Sequence, residues 1–265
     1  MIWTNVFHST LIGSAACALG MLLLWAFATR KRDASSVDVA WAGFLGILAI
    51  AYALTGAGHP HRRLLIGLIG GVWGLRLAWH LLTDRVLKAR EEDGRYQKLR
   101  ADWAPHATRN FFIFFQAQGL LAALLAIPFA IAANTGGPLT PLDIAALLLW
   151  LIGITGESLA DRQLAAWRSN AANKGKTCRA GLWNYSRHPN YFFEWLMWCA
   201  YALVATNAPL GFFAWAAPAL MLFLILKVTG VPPTEARALK SRGDDYRAYQ
   251  RTTSVFVPLP PKRHA

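Results

Sequence analysis

The chain has 265 residues, 55% of them hydrophobic and 15% charged, with a formal charge of +13 and a positive mean hydropathy of +0.31. This is too apolar for an ordinary soluble domain. Twelve Trp suit the interfaces of a bilayer. A nucleic-acid partner is excluded, because the positive charge is confined to segments between apolar runs. Cys17, Cys178 and Cys199 have neither metal-ligand spacing nor the pattern of a disulfide framework, so no metal is expected. The N-terminus lacks a basic leader and its apolar run is long enough to span, so no cleavable signal peptide is expected.

Seven segments are long enough to cross a hydrocarbon core, at roughly 9–29, 36–56, 64–83, 111–133, 141–158, 190–206 and 209–229. The expectation is an all-α integral membrane protein with one seven-helix domain over residues 1–265. Asn207 to Pro209 reads as a tight turn that makes the last two segments a helical hairpin. Gly67, Gly70, Gly71 and Gly74 in the third segment have the small-residue spacing that lets helices approach closely.

Charge sets the expected orientation. Arg30, Lys31 and Arg32 follow the first segment; seven Lys and Arg lie in 84–110, six in 159–189 and seven in the tail from 230. The opposite side has two, Arg62 and Arg63. The positive-inside rule places the N-terminus outside, the C-terminus and the large loops in the cytoplasm.

Polar groups then gather toward the cytoplasmic leaflet. They are Asp38, Arg76, His80, Asn110, Gln116, Gln118, Glu157, Asp161, Asn190, Glu194 and Lys227. Buried separately, each would need its own partner, whereas one polar cavity open to the cytoplasm would satisfy the set. For Gln116 or Gln118 alone, a structural hydrogen bond is the simpler reading.

The densest run of chemically able side chains is Arg179-Ala-Gly-Leu-Trp-Asn-Tyr-Ser-Arg-His-Pro-Asn-Tyr-Phe-Phe-Glu194. Pro189 suits the first turn of a helix. Asn190 and Glu194 lie four apart and share a face of it. A carboxylate one turn inside a membrane helix is costly and is by default a functional candidate. Arginines on several loops, including Arg85, Arg90, Arg95, Arg168, Arg179, Arg187 and Arg251, suit a multiply phosphorylated ligand, because the guanidinium fork contacts phosphate bidentately. Acidic residues among them suit ribose and amide hydrogen bonds. The chain has no G-x-G-x-x-G and no Walker sequence.

The run Gly181-Leu-Trp-Asn-Tyr-Ser-Arg-His-Pro-Asn-Tyr191 ending in Glu194 resembles the signature of the DUF1295 membrane proteins, in the steroid 5-alpha-reductase-like superfamily. Matches extend along most of the chain. They include Asp38-Val-Ala-Trp41, Arg76 to His80, Arg85, Glu92-Asp93-Gly-Arg95-Tyr96, Glu157, Asp161-Arg-Gln163, Thr229-Gly-Val-Pro, Tyr246 and Tyr249 to Pro258. Isoprenylcysteine carboxyl methyltransferases share a related R-H-P-x-Y-x-x-E element. The resemblance implies a seven-helix fold whose cytoplasmic loops wrap NADPH, and hydride transfer to the β-carbon of an enone in a steroid or other lipid. Where the family usually has Gly, this chain has Phe193. No Tyr accompanies His80.

On that basis Asp38 and His80 are expected to polarise the substrate carbonyl, where negative charge develops in the transition state. A buried, protonated Asp38 would serve as donor. Asn190 and Glu194 are expected on the nicotinamide or its ribose. Arg85, Asp161, Arg168, Arg179, Arg187, His188, Tyr246 and Arg251 are expected on ribose, diphosphate or adenosine phosphate, with Tyr185, Tyr191 and Lys227 completing the pocket. The expected partners are membrane lipids and a hydrophobic substrate, in a bacterial inner membrane. Two other readings stand beside this one: an S-adenosylmethionine-dependent methyltransferase and a non-enzymatic lipid-binding protein.

Overall fold

The computed structural model describes residues 1–89 and 91–262. Arg90, part of the charged loop singled out in the sequence, lies outside the described residues. The described residues are helical, with no strand beyond an isolated bridge between Ser186 and Ser254. The helices are α1 (Ile2–Lys31), α2 (Ser36–Thr55), α3 (Pro60–Leu82), α4 (Gly94–Asp102), α5 (Ala107–Leu125), α6 (Ile127–Ala133), α7 (Pro141–Ser169), α8 (Pro189–Ala205), α9 (Ala216–Phe223) and α10 (Val231–Thr252). Two π-helical turns, Thr83–Leu87 and Leu224–Val228, close α3 and α9.

Among the described residues, six helical stretches are long and apolar enough to cross a membrane: Ile2–Lys31, Ser36–Thr55, Pro60–Leu87, Ala107–Ala133, Pro141–Ser169 and Gly211–Thr252. The sixth expected crossing, α8, has 17 residues and falls just short of that set. The fifth outruns its expected end at 158 and carries Glu157 and Asp161 within a continuous helix. The seventh expected segment is a succession of a 3-10 turn (Gly211–Trp215), α9 and a π-turn. The stretch after it is α10, which breaks at Gly243 (φ 53).

The chain divides into two compact units, Met1–Asp143 with Leu203–Ala214, and Ile144–Ala202 with Trp215–Ala265. In the first unit α2 and α3 lie against each other along their length, and glycine is what allows it. A side chain on Gly74 would collide with the backbone of Gly46 on α2, and one on Gly70 would meet Ala49. Helix α1 packs on α5 where Gly119 faces Cys17 and Met21. Met21, Val37, Tyr96, Phe111 and Phe115 form a buried cluster beneath α4. The outer face of α1 exposes Leu11, Ile12, Leu19, Leu23 and Phe27, as a lipid-facing helix should.

Arg62 and Arg63 read from sequence as loop charges. In the structure Arg62 is 1% exposed. Its guanidinium grips Asp143 through Nε (3.1 Å) and Nη2 (2.9 Å) and also donates to the carbonyls of Gly136 and Pro138. Arg63 donates to the carbonyls of Ala53 and Leu54 in the last turn of α2, where a helix leaves carbonyls without intrahelical partners. Both arginines close helix ends. They are counted on one side because the turns they hold are there.

In the second unit α7 meets α8 across Gly153 and Gly156. The ring of Phe193 occupies the space a side chain on Gly156 would need. Trp150 Nε1 donates to Tyr201 Oη (3.1 Å) inside this interface.

Removing one member of a buried ion pair strands the other. Arg62→Ala is expected to cost about 3–5 kcal/mol of stability, read as a lowered thermal midpoint in detergent. Exchanging Arg62 and Asp143 together for apolar residues should cost much less. An R62A variant as stable as the parent would show that Asp143 is held by its other partners, Thr140 and Asn207.

Candidate functional site

The first unit carries a charged cluster around Asp38, in the first turn of α2. Asp38 Oδ2 accepts from Arg85 Nη1 and from Arg95 Nη2 (2.7 Å). Its Oδ1 accepts from the Tyr96 hydroxyl (2.8 Å). Arg85 comes from the π-turn after α3. Arg95 and Tyr96 open α4, whose N-cap is Asp93. Asp93 accepts from the Arg95 backbone N–H (2.9 Å) and holds the Arg95 guanidinium at 3.1 Å through both Nε and Nη2. The run Glu92 to Tyr96 is strapped onto the start of α2: Ala34 N–H donates to Glu92, and Asp93 N–H donates to Ser35 Oγ.

Burial disfavours the charge of Asp93, but the hydrogen bonds from Arg95 and the positive charges of Arg95 and Arg85 outweigh it and hold the carboxyl below its ordinary range. Burial also works against Arg95, yet Asp93 and Asp38 raise it further into the charged form. Burial, then the charge of Asp38, push the Tyr96 phenol well above its ordinary value, so its proton stays on. Asp38 accepts at both oxygens, with its side chain 22% exposed. Sequence expected Asp38 in a dry bundle; the structure leaves its side chain partly exposed and surrounds it with the three donors Arg85, Arg95 and Tyr96. His80 is exposed on α3. Gln116 makes the structural bond read for it alone, donating to Ala18 O (3.3 Å).

The second unit carries the signature run. Gly181, at φ 57, turns the chain, and the next N–H, that of Leu182, donates to Gln163 Oε1 (2.9 Å). Trp183 Nε1 donates to Ala160 O (2.9 Å). The C-terminal segment lies alongside: Arg187 N–H donates to Ser254 O (2.8 Å), Ser186 Oγ to Phe256 O (2.7 Å), and Leu259 N–H to Tyr185 O (3.0 Å). Pro189 then starts α8.

Glu235 of α10 gathers the polar groups. Its Oε1 accepts from Arg187 Nε (2.6 Å) and lies 3.3 Å from both His188 Nε2 and the Tyr246 hydroxyl; Oε2 accepts from Gln250 Nε2 (2.7 Å). Arg187 also donates to Gln250 O and Thr253 O. His188 is 2% exposed and stacks parallel on Tyr191, whose hydroxyl is 3.3 Å from Thr234 Oγ1. Arg187, His188 and Tyr246, expected on phosphate or ribose, thus face one another and Glu235. The sequence reading passed over Glu235. In one straight helix Glu235 would stand about 16 Å from Tyr246, at roughly 1.5 Å per residue; it meets Tyr246 and Gln250 because α10 breaks at Gly243, a turn-back that no spacing in the sequence announces.

Asn190 differs from these. Its Nδ2 donates to Asp161 Oδ1 (3.3 Å), while its Oδ1 is buried with no hydrogen-bond partner among the described residues. Tyr191 and Glu194 are half-buried beside it on α8. A buried carbonyl oxygen left open can take an amide or hydroxyl donor from a ligand. Arg179 is exposed and paired with Asp245 (2.9 Å). Arg168, Lys227, Arg251 and Tyr185 are exposed.

A family model described as "Protein of unknown function (DUF1295)" matches residues 24–253. An uncharacterised protein of Schizosaccharomyces pombe is 26% identical over 267 aligned residues, covering 89% of this chain and 76% of that protein. No solved structure matches the chain.

Two outcomes follow from these clusters. Because the folded-state pKa of Asp93 is depressed, its contribution is present above the ordinary carboxylate value and is lost as pH falls from there through the lower folded-state value. Asp93→Asn should therefore lower stability near neutral pH and make the acid-side fall of the unfolding midpoint shallower; an unaltered pH profile would remove Asp93 from the strap's energetics. Glu235→Ala leaves Arg187, 11% exposed, and His188 without their shared acceptor. We expect a loss of about 3–5 kcal/mol and faster proteolysis after Thr252, with Glu235→Gln intermediate. Parent-like proteolysis would show that Arg187 is held by Gln250 and Thr253 alone.

Proposed function

The chain belongs to the DUF1295 family, and from that premise we propose that it is an integral membrane reductase. It uses NADPH to saturate the carbon–carbon double bond of an α,β-unsaturated carbonyl in a hydrophobic substrate. The observation that carries this reading is Asn190: a carboxamide oxygen buried and open at the mouth of α8, braced through its amide by Asp161. A nicotinamide carboxamide or a ribose hydroxyl supplies the missing donor.

The residues of the second unit fit such a ligand in two layers. Arg187, His188, Tyr246 and Glu235 are positioning residues that tie α10 and the C-terminal segment to the turn preceding α8. Asn190, Glu194 and Tyr191 are the ligand-facing set. The exposed Arg179, Lys227 and Arg251 are free to meet phosphate oxygens, with Arg179 exchanging Asp245 for the ligand.

NADPH, when bound, supplies a hydride to the β-carbon. The protein must meet the charge that develops on the carbonyl oxygen, and a proton must reach the α-carbon. In the first unit Asp38 orients the guanidinium groups of Arg85 and Arg95, whose remaining N–H groups are the donors for that oxygen, while the single Tyr96 proton is given to Asp38. Asp38 acts in this reading by orienting Arg85 and Arg95, and His80 is a further, exposed donor.

The proposal includes seven crossings with α8 as the sixth. At about 1.5 Å per residue its 17 residues span roughly 25 Å, the short end of what a bilayer needs. The charge distribution then sets the signature run and α10 in the cytoplasm, in a bacterial inner membrane.

Thermal unfolding of the detergent-purified chain with NADPH, NADH or S-adenosylmethionine tests the reading, since a ligand of the folded state raises its midpoint. NADPH should stabilise the protein. Asn190→Ala should weaken it about tenfold, the worth of one hydrogen bond, and Asp38→Asn should leave binding intact while abolishing enone-dependent NADPH oxidation. Stabilisation by S-adenosylmethionine alone would move the site to methyl transfer. Silence from all three ligands would leave a lipid-binding protein.

A further inference from the structure

The second unit contains a cavity of about 400 Å³ whose lining shares no residue with the Glu235 and Asn190 clusters. It opens where α7, a candidate membrane span, gives way to the loop after Ser169. Its charged wall is Arg168 in the last turn of α7, Lys174 and Lys176 from the loop, and Arg242 from α10. No carboxylate lines it. None of the four cations makes an ion pair with a described residue; Arg242 feels the field of Asp245, which is itself bound to Thr177 N–H and Arg179. Arg168, Lys174 and Lys176 are exposed and Arg242 is half-buried, so water screens their mutual repulsion, and an anion seated among them would be attracted by all four.

Leu164 and Trp167 make the apolar side. The indole N–H of Trp167 is buried without a partner among the described residues. Trp and basic residues at the end of an apolar helix are what a membrane surface selects. Beside the cations the wall carries only neutral polar groups, Ser169, Asn170 and Asn173. At the cavity edge burial pushes the Cys178 thiol up, against the Ala180 backbone N–H and, more weakly, the charges of Arg168 and Arg242.

We propose that this cavity binds the phosphate headgroup of an anionic membrane phospholipid, with Arg168, Lys174, Lys176 and Arg242 on the phosphate and Leu164 and Trp167 against the glycerol and first methylenes. The site goes beyond the cofactor reading and does not depend on it.

The test uses the full chain in detergent with short-chain dioctanoyl phosphatidic acid, dioctanoyl phosphatidylcholine, pyrophosphate and NADPH as probes, read by thermal unfolding and titration. Phosphatidic acid should raise the midpoint and phosphatidylcholine should not. The double variant Lys174→Ala, Lys176→Ala should bind phosphatidic acid about thirtyfold more weakly, with its unliganded midpoint and its response to NADPH unchanged. Lys98→Ala, which removes an exposed lysine elsewhere, should behave as the parent. An undiminished response to phosphatidic acid in the double variant would overturn the site. Loss of NADPH or pyrophosphate binding in the double variant, with phosphatidic acid inactive on the parent, would assign the cavity to a soluble phosphate instead. Failure of NADPH to bind the parent would remove the cofactor reading and leave this one standing.

Discussion

Hydrocarbon offers no hydrogen-bond partner to a backbone, so each crossing closes its own N–H and C=O groups within a helix and leaves only its ends unsatisfied. The folded chain meets that constraint with arginine. Arg63 caps the last carbonyls of α2, and Arg62 binds the 136–138 turn together with Asp143. Arg85 and Arg95 converge on Asp38 at the start of α2. Arg187 joins the signature run to Glu235 and to the carbonyls at the end of α10. The planar guanidinium, with five donors, can hold a carboxylate and carbonyls at once, which a lysine ammonium does less well.

This use of arginine changes how the polar motif is understood. Basic residues in a signature invite assignment to a phosphate ligand. Here the ones most deeply placed, Arg187 and His188, are engaged by the protein itself. They fix where α8 begins and therefore where Asn190 and Glu194 stand. The group left open is a neutral one, the Asn190 carboxamide oxygen. The mouth of α8 is thus a frame of ion pairs beside one buried carboxamide oxygen without a partner among the described residues.

Small residues set the helix packing in both units. The glycines of α3 allow α2 to approach at Gly46, Ala49 and Ile50. On α7, Gly156 receives the Phe193 ring. The Phe193 ring is matched by an absent side chain across the interface. The bulk lies between helices as packing.

Membrane character, helical class and the DUF1295 signature were all legible in the sequence, because each rests on local quantities. A crossing needs some 20 apolar residues in a row, and a motif is a fixed spacing. The glycine stripe of α3 was legible for the same reason. Partnership was not. Arg187 and Glu235 are 48 residues apart, Asp38 and Arg95 are 57, and Arg62 and Asp143 are 81. No window along the chain contains both members of these pairs. The length of α8, the helical continuation of α7 to Ser169 and the recruitment of α10 were settled the same way, by contacts distant in sequence. The sequence by itself determined which side chains could be charged and which stretches could enter a bilayer. Only the tertiary structure decided which charges neutralise one another and which polar atom remains open, because electrostatic pairing depends on distance in space and hydropathy on order along the chain.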